Sequence, residues 1–278
     1  MSEEKKTFFA SLEPKSALVV GAVAGLLIIG TIGFIIMLFI NFGYKNANSA
    51  VTGGANNNAQ LNQQQSETIP VVTKSDKPQV ELFIMSYCPY GLQMQKAFTP
   101  VWNLLQGKAD FSIKFVSYAM HDLPEVEENT RQYCIETEQA NKYLAYADCF
   151  TVSGDYQSCL SSVGVSVSKL NACVDSTNKK FGILDKYNDK STWLSGLYPV
   201  YPIHQDLNNK YGVQGSPTLV INGNQVDSGR SPEAIKQVVC AAFNGAPSEC
   251  SQVLNSTSAS AGFGAGVGSG NASAECGS

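Results

Sequence analysis

The sequence predicts an α/β domain tethered by one transmembrane helix, and three observations carry that expectation. Two strand-like runs flank a helical repeat in β-α-β order. A later strand-turn-strand leads into a capped helix. A long apolar stretch without charge precedes both. Composition divides the chain into an N-terminal segment 1–15, an anchor 16–44, a stalk 45–77, a globular part 78–250 and a tail 251–278.

No residue between Lys15 and Lys45 is charged, and residues 17–42 are almost wholly apolar. About 26 such residues rising 1.5 Å each extend roughly 39 Å, enough to cross a hydrocarbon layer of about 30 Å with some tilt. The apolar core of a cleaved signal peptide is shorter, about 7 to 15 residues, and a small-residue cleavage site follows it closely. Lys5, Lys6 and Lys15 precede the stretch, whereas only Lys45 follows closely, so the lysine bias puts the N-terminus in the cytoplasm and the C-terminal domain outside. The expected partner of 17–42 is the membrane itself. Eight cysteines suit an oxidising compartment. A net charge of -4 with only 19 basic residues argues against nucleic acid.

The stalk is rich in Asn, Gln, Ser and Gly, centred on NNNAQLNQQQS, and has few apolar residues with which to build a core. The tail 251–278 is equally small and polar and is expected to be disordered. Within 78–250, residues 79–85 form an apolar run that predicts a buried strand. Leu92, Met94, Ala97, Phe98, Val101, Trp102 and Leu105 recur at helical spacing, and Gly107 is a stop signal. Residues 111–118, FSIKFVSY, alternate as a second strand. A helical insertion is expected over about 121–200, carrying Cys134, Cys149, Cys159 and Cys173. Residues 218–222 predict a short strand, Asn222-Gly223-Asn224 a tight turn and 225–228 a return strand. Ser231-Pro232-Glu233 supplies a cap, a proline at the first helical position and an acid in the first turn of a last helix.

Cys88 is the leading candidate catalytic residue, because it stands where the first strand gives way to a helix. Unpaired backbone N–H groups and the helix dipole favour a thiolate there, and such cysteines titrate at about 3.5 to 7.5. Position 91, where a Cys-x-x-Cys pair would have its second thiol, holds glycine in Cys88-Pro89-Tyr90-Gly91. Cys240 and Cys250 suit a structural staple closing about ten residues, worth about 2 to 3 kcal/mol. The four insertion cysteines allow three pairings, and the sequence does not choose. Zinc is disfavoured because their spacing has no close Cys-x-x-Cys. No metal or other cofactor is called for. His121 and His204 are the only histidines, and a structural role is the better reading for each. Tyr87 and Tyr90 flank the thiol and are expected to shape a peptide groove.

The strand ending in Cys88, together with Val213-Gln214-Gly215-Ser216-Pro217-Thr218 before a strand-turn-strand, resembles the thioredoxin-fold oxidoreductases of the DsbA-like group. The cysteine-bearing insertion, with YCIETEQANKYLAYADCF, Cys159-Leu160 and NACV around Cys173, also resembles the gamma-interferon-inducible lysosomal thiol reductase family. The resemblance spans 78–250 and implies a thioredoxin-like fold. It further implies that Pro217 is cis and faces the active thiol, with Pro89, Tyr90, Ser216 and Pro217 positioning substrate. Gly91 departs from the pattern of the two-thiol enzymes of that group.

The expected function is a membrane-anchored, extracytoplasmic thiol-disulfide oxidoreductase or isomerase acting on protein thiols and disulfides through one cysteine. Three ways of resolving its mixed disulfide stay open: an external thiol or membrane redox partner, the substrate's own freed thiol, or Cys276 in the tail. The alternative is a non-catalytic module on the cell surface that keeps the groove for binding or chaperone-like holding of partner chains.

Overall fold

The computed structural model describes residues 72–265. The predicted anchor, the N-terminal segment, most of the stalk and Cys276 lie outside the described residues. Among the described residues no helix is long and apolar enough to cross a membrane.

The fold is built on a central strand, β1 (Gln79–Ile84), whose residues after the first are all buried. Such a strand needs neighbours on both edges and cover on both faces. β2 (Asp110–Phe115) pairs with it in parallel, Leu82 opposite Ile113, across the crossover helix α1 (Pro89–Leu104). β3 (Thr218–Ile221) pairs antiparallel on the other edge, Leu82 opposite Leu219. β4 (Asn224–Gln225) completes the order β2-β1-β3-β4. Asn222 and Gly223 form the two-residue turn between β3 and β4, with φ of 49° and 81°. The primed hairpin turn requires positive φ at both positions, which Asn and Gly tolerate best. Asn222 also ties the turn to the sheet, its Oδ1 accepting from Gln79 N at 2.9 Å.

Side-chain alternation along β1 divides the interior. Val80, Leu82 and Ile84 join Phe98 and Val101 of α1 and Ile235 and Val239 of α8 (Pro232–Ala241) in the larger core. Phe83 and Met85 point the other way, into a smaller cluster with Val116, Val213, Val220 and Cys88. The start of α8 is fixed by Ser231 Oγ, which accepts from Ala234 N at 3.2 Å, with Pro232 in the first turn. A parallel β-α-β unit followed by an antiparallel hairpin and a closing helix is a thioredoxin-like arrangement.

Between β2 and β3 lies the helical insertion: α2 (Asp122–Glu138), α3 (Ala140–Ser153), α4 (Tyr156–Val163), α5 (Val167–Phe181) and α6 (Ile183–Asn188). Tyr143, Tyr146, Ala147 and Phe150 of α3 are buried and extend the larger core. Disulfide Cys134–Cys173 joins α2 to α5, and Cys149–Cys159 joins α3 to α4. Cys240 is bonded to Cys250 beyond α8. Glu128 of α2 is fully buried. It is held by Arg131, by Gln132 Nε2 at 2.9 Å and by Tyr146 Oη at 3.0 Å, which offset part of the cost of removing a carboxylate from water.

Two sequence expectations are corrected. A short helix, α7 (Gln205–Tyr211), follows the insertion where none was expected. The tail, expected to be disordered from 251, instead forms a 3₁₀ turn at Ser248–Ser251 and continues to 265 against α8 and α1. Small residues supply little apolar surface but still offer backbone carbonyls, and buried or half-buried lysines of the two helices bind them. Lys236 Nζ donates to Gln252 O, and Lys96 Nζ donates to Gly262 O at 2.8 Å and Gly264 O at 3.0 Å.

Loop length ranks the insertion disulfides. The 39-residue separation of Cys134 and Cys173 corresponds to about 4 kcal/mol of chain-entropy stabilisation, against about 2.7 for the 10-residue separation of Cys149 and Cys159. Replacing Cys134 and Cys173 together by serine is therefore expected to lower unfolding free energy by about 1 kcal/mol more than the same change at Cys149 and Cys159. Urea denaturation of the two double variants checks the order, and the reverse order would contradict it.

Candidate active site

Cys88 is the N-cap of α1, with φ -63° and ψ 121°, and Pro89 opens the helix without losing a hydrogen bond. The residues leading to it have left the sheet, so their N–H groups need other acceptors. Three consecutive groups find them on three side chains. Met85 N donates to Ser216 Oγ at 2.9 Å, Ser86 N to Asn129 Oδ1 at 3.1 Å, and Tyr87 N to Glu125 Oε2 at 3.1 Å. Cys88 N then closes a turn on Met85 O at 3.0 Å. The approach to the sulfur is thus held by the loop before β3 on one side and by α2 of the insertion on the other.

The second motif meets the first at Ser216. The Ser216–Pro217 bond is cis, and Ser216 O lies 3.5 Å from Cys88 Sγ. Cys88 is fully buried among Phe83, Met85, Val116, Val213 and Val220, with Tyr90, Tyr118 and Tyr211 packed around that cluster. Cys88 is also disulfide-bonded. Cys276, the candidate resolving thiol, lies outside the described residues. Beside Pro217, a cleft of 160 Å³ runs between Met94, Gln225 and Arg230. Arg230 stacks on the Tyr90 ring, 4.6 Å from its centroid, and donates to Gln93 Oε1 at 3.0 Å. A larger cleft of 670 Å³, lined by Val126, Arg131, Tyr156, Leu160 and Leu170, belongs to the insertion and has no thiol in its wall.

Gly91 is packed, and its missing side chain is part of the site. A Cβ there would stand 2.6 Å from Ser216 Oγ and 2.9 Å from Met85 O. Ser216 Oγ is committed to Met85 N, and the other obstacle is backbone, so neither yields cheaply. The hydroxyl that positions the approach to Cys88 fills the space a second thiol would need.

Sequence reasoning missed Glu125 and Asn129. Both are fully buried, and no motif marked them; the available signal was an i,i+4 pair of polar residues on one face of a helix. Glu125 also accepts from Met120 N at 2.8 Å and meets His121 Nδ1 at 2.7 Å through Oε2. That hydrogen bond raises the His121 pKa above its ordinary value, against the lowering effect of burial. His121 is therefore linked through one carboxylate to the residue before Cys88. His204 is elsewhere, buried against β2, where its Nδ1 accepts from Phe115 N at 3.0 Å. Burial, with Lys114 nearby, lowers its pKa to about 3. Among the described residues no group of His, Cys, Asp and Glu is arranged to hold a metal ion.

No protein-family model matches the chain, and no curated protein matches it. Solved structures with similar topology include reduced DsbA from Mycobacterium tuberculosis, at 16% identity and TM-score 0.44, covering 64% of this chain and 93% of that one. Oxidised BdbD from Bacillus subtilis matches at 17% identity and TM-score 0.42, covering 61% and 90%. MdbA from Actinomyces oris, a thiol-disulfide oxidoreductase, matches at 15% and 0.42, covering 62% and 83%. Likeness this distant transfers no activity, and the chemistry rests on this chain's own residues.

Two outcomes are expected. Gly91→Ala and Gly91→Cys both overpack the contact with Ser216 and Met85, lowering stability by about 1 to 3 kcal/mol in urea titration; an unchanged or raised midpoint would contradict the packing argument. His204 stays neutral in the folded chain as pH falls, whereas in the unfolded chain it takes up a proton near its ordinary value of 6.5. Its contribution is therefore complete above pH 6.5 and is lost as pH falls from there towards about 3. His204→Asn, whose amide oxygen can accept from Phe115 N, should flatten that part of the stability profile relative to the wild type. Parallel profiles for the two would contradict the assignment.

Proposed function

We propose that this chain is a membrane-anchored thiol-disulfide oxidoreductase or isomerase whose domain faces the extracytoplasmic side and acts on protein disulfides through Cys88. The observation that carries this reading is the meeting of two motifs 128 residues apart: Cys88 Sγ lies 3.5 Å from the carbonyl of Ser216, next to Pro217. Extended polypeptide bound beside Pro217 and Tyr90 could pair with free backbone there, bringing a disulfide sulfur to Cys88. Once reduced, Cys88 attacks as thiolate. A new S–S bond forms to one substrate sulfur, the substrate S–S bond breaks, and its other sulfur leaves as thiolate.

Position 91 contributes no thiol, so that mixed disulfide cannot be resolved within a Cys-x-x-Cys loop. The eight cysteines and the charge-free 17–42 segment after a lysine-bearing N-terminus support placement outside the cytoplasmic membrane, where disulfides persist. Pro89 and Tyr90 border the sulfur, and Tyr90 is backed by Arg230.

Turnover of a peptide disulfide by the full chain in detergent, with a small thiol as reductant, tests the proposal. Cys88→Ser should lower the catalysed rate at least 100-fold, while Cys88→Ser and wild type unfold at similar denaturant concentrations. Equal rates for both would remove Cys88 from the reaction. No turnover by either, with retained binding of an extended peptide, would favour the non-catalytic binding module.

A further inference from the structure

Tyr87 precedes Cys88 and Pro89 follows it, and the last described residues of the chain touch both. Residues 252–265 run as a strap along α8 and α1. Glu233 Oε2 accepts from Leu254 N at 2.7 Å, and Gln93 Nε2 donates to Ala259 O at 2.7 Å. Lys96 Nζ then binds Ser260 Oγ at 3.3 Å together with the carbonyls of Gly262 and Gly264. At the end of this run Gly262 N donates to Pro89 O at 2.9 Å, and Gly264 N donates to Thr151 O of α3 at 3.1 Å. Between these two bonds the ring of Phe263 stands edge-on to Tyr87, 5.6 Å between centroids, and to Phe150, 5.4 Å.

Resting on the reading of Cys88 as the exchanging sulfur, we propose that Gly262 and Phe263 are positioning residues of the active site, holding the two neighbours of Cys88 so that the first turn of α1 keeps its N–H groups on the sulfur. A cysteine N-cap makes no side-chain capping bond here, where Ser, Thr, Asp or Asn would tie the turn down. The N–H groups that an N-cap side chain reaches are those of the second and third helical residues, Tyr90 and Gly91. These are also the groups that favour a thiolate at a helix N-terminus. The start of α1 therefore lacks the usual local restraint just where its orientation sets the chemistry. The bond from Gly262 N to the first helical carbonyl supplies a restraint from outside the helix. On the other side of the sulfur, the bond from Tyr87 N to Glu125 is only part-buried, and the Tyr87 ring is wedged between Phe150 and Phe263.

Loss of either contact lets the residues beside the sulfur spread, so the N–H groups of the first turn point at it less well and the thiolate loses support. The Cys88 thiol then titrates closer to the ordinary value of about 8.5. The charged and titratable groups around the turn are separate from the strap. α2 brings Glu125, Glu127, Glu128 and Arg131, with His121 at its start. Lys96 stands on α1 and Arg230 over the Tyr90 ring, while Tyr118 and Tyr211 pack around the Cys88 cluster. Substitution at 262 or 263 leaves every one of these in place, so a change in the titration of Cys88 reads the geometry of the turn.

The test is the alkylation rate of Cys88 against pH in the reduced full chain in detergent, with the modified site read by digestion and mass spectrometry. Phe263→Ala removes the ring, and Gly262→Pro removes the donor to Pro89 O. Each should move the midpoint of the profile upward by about one pH unit, which slows alkylation below the midpoint about tenfold. Phe263→Tyr, which keeps the ring, should restore the wild-type profile. Phe263 is 39% exposed and the rest of the strap keeps its bonds, so the urea midpoints of all four chains should agree. Wild-type profiles in both Phe263→Ala and Gly262→Pro overturn the positioning role and leave Cys88 standing as the nucleophile. A shift matched by a lowered urea midpoint, or a Phe263→Tyr profile like that of Phe263→Ala, overturns it too. A wild-type Cys88 that titrates at the ordinary value and captures no peptide disulfide overturns both readings.

Discussion

The site depends on how the chain leaves β1. A parallel strand in the middle of a sheet has its backbone satisfied by its neighbours, but Met85, Ser86 and Tyr87 lie past the last ladder residue and before the first helical turn. Each of their N–H groups is taken by a side chain from a different place: Ser216, Asn129 and Glu125. A buried N–H left without an acceptor costs about 1 to 3 kcal/mol, so together these bonds impose one path on the backbone and one position on the sulfur that follows. They also explain why the insertion is folded against the sheet at all. Two of the three acceptors stand on α2.

That dependence gives the insertion disulfides a part in placing Cys88 without contact. Cys134 and Cys173 hold α2 to α5, and Glu128 fixes the same helix to Tyr146 of α3. A helix braced in this way keeps Glu125 and Asn129 at fixed heights under the Cys88 turn. On the opposite side, Ser216 is held by the short sheet strand that follows it and by the packing of Gly91, where the lack of a Cβ lets its hydroxyl reach Met85 N. Glycine here serves close approach rather than an unusual φ. The same atom economy that orders the turn excludes a second thiol from α1, so the single cysteine is a property of the packing and not merely a substitution at one position.

Much of this frame was legible in the sequence. The β-α-β order, the Asn222-Gly223 turn and the Ser231-Pro232 helix start follow from periodicity and from local turn and cap chemistry, which act over a few residues. What was illegible depends on long-range partners. Glu125 and Asn129 look like solvent-facing residues of a polar helix until the turn before Cys88 is placed above them. α7, QDLNNKY, has no apolar stripe, and its position comes from Asn208 Nδ2 donating to Phe115 O at 3.0 Å and from the packing of His204 on β2. The tail shows the limit of composition most clearly. Gly, Ala and Ser predict disorder because they bury little apolar surface, yet side chains of α8 and α1 (Glu233, Lys236, Gln93 and Lys96), backbone bonds to Pro89 and Thr151, and the ring of Phe263 hold the segment as far as residue 265.

We propose that one sulfur, Cys88, set by this clamp, meets the substrate. The most direct measurement is the site of the covalent adduct when the reduced full chain is exposed to a peptide disulfide, acid-quenched within seconds, digested and sequenced by mass spectrometry. Substrate thiol is expected on Cys88 alone, with Cys134, Cys149, Cys159, Cys173, Cys240 and Cys250 still paired as in the fold. Substrate carried by any of those six, or spread over several of them with Cys88 bare, would contradict it.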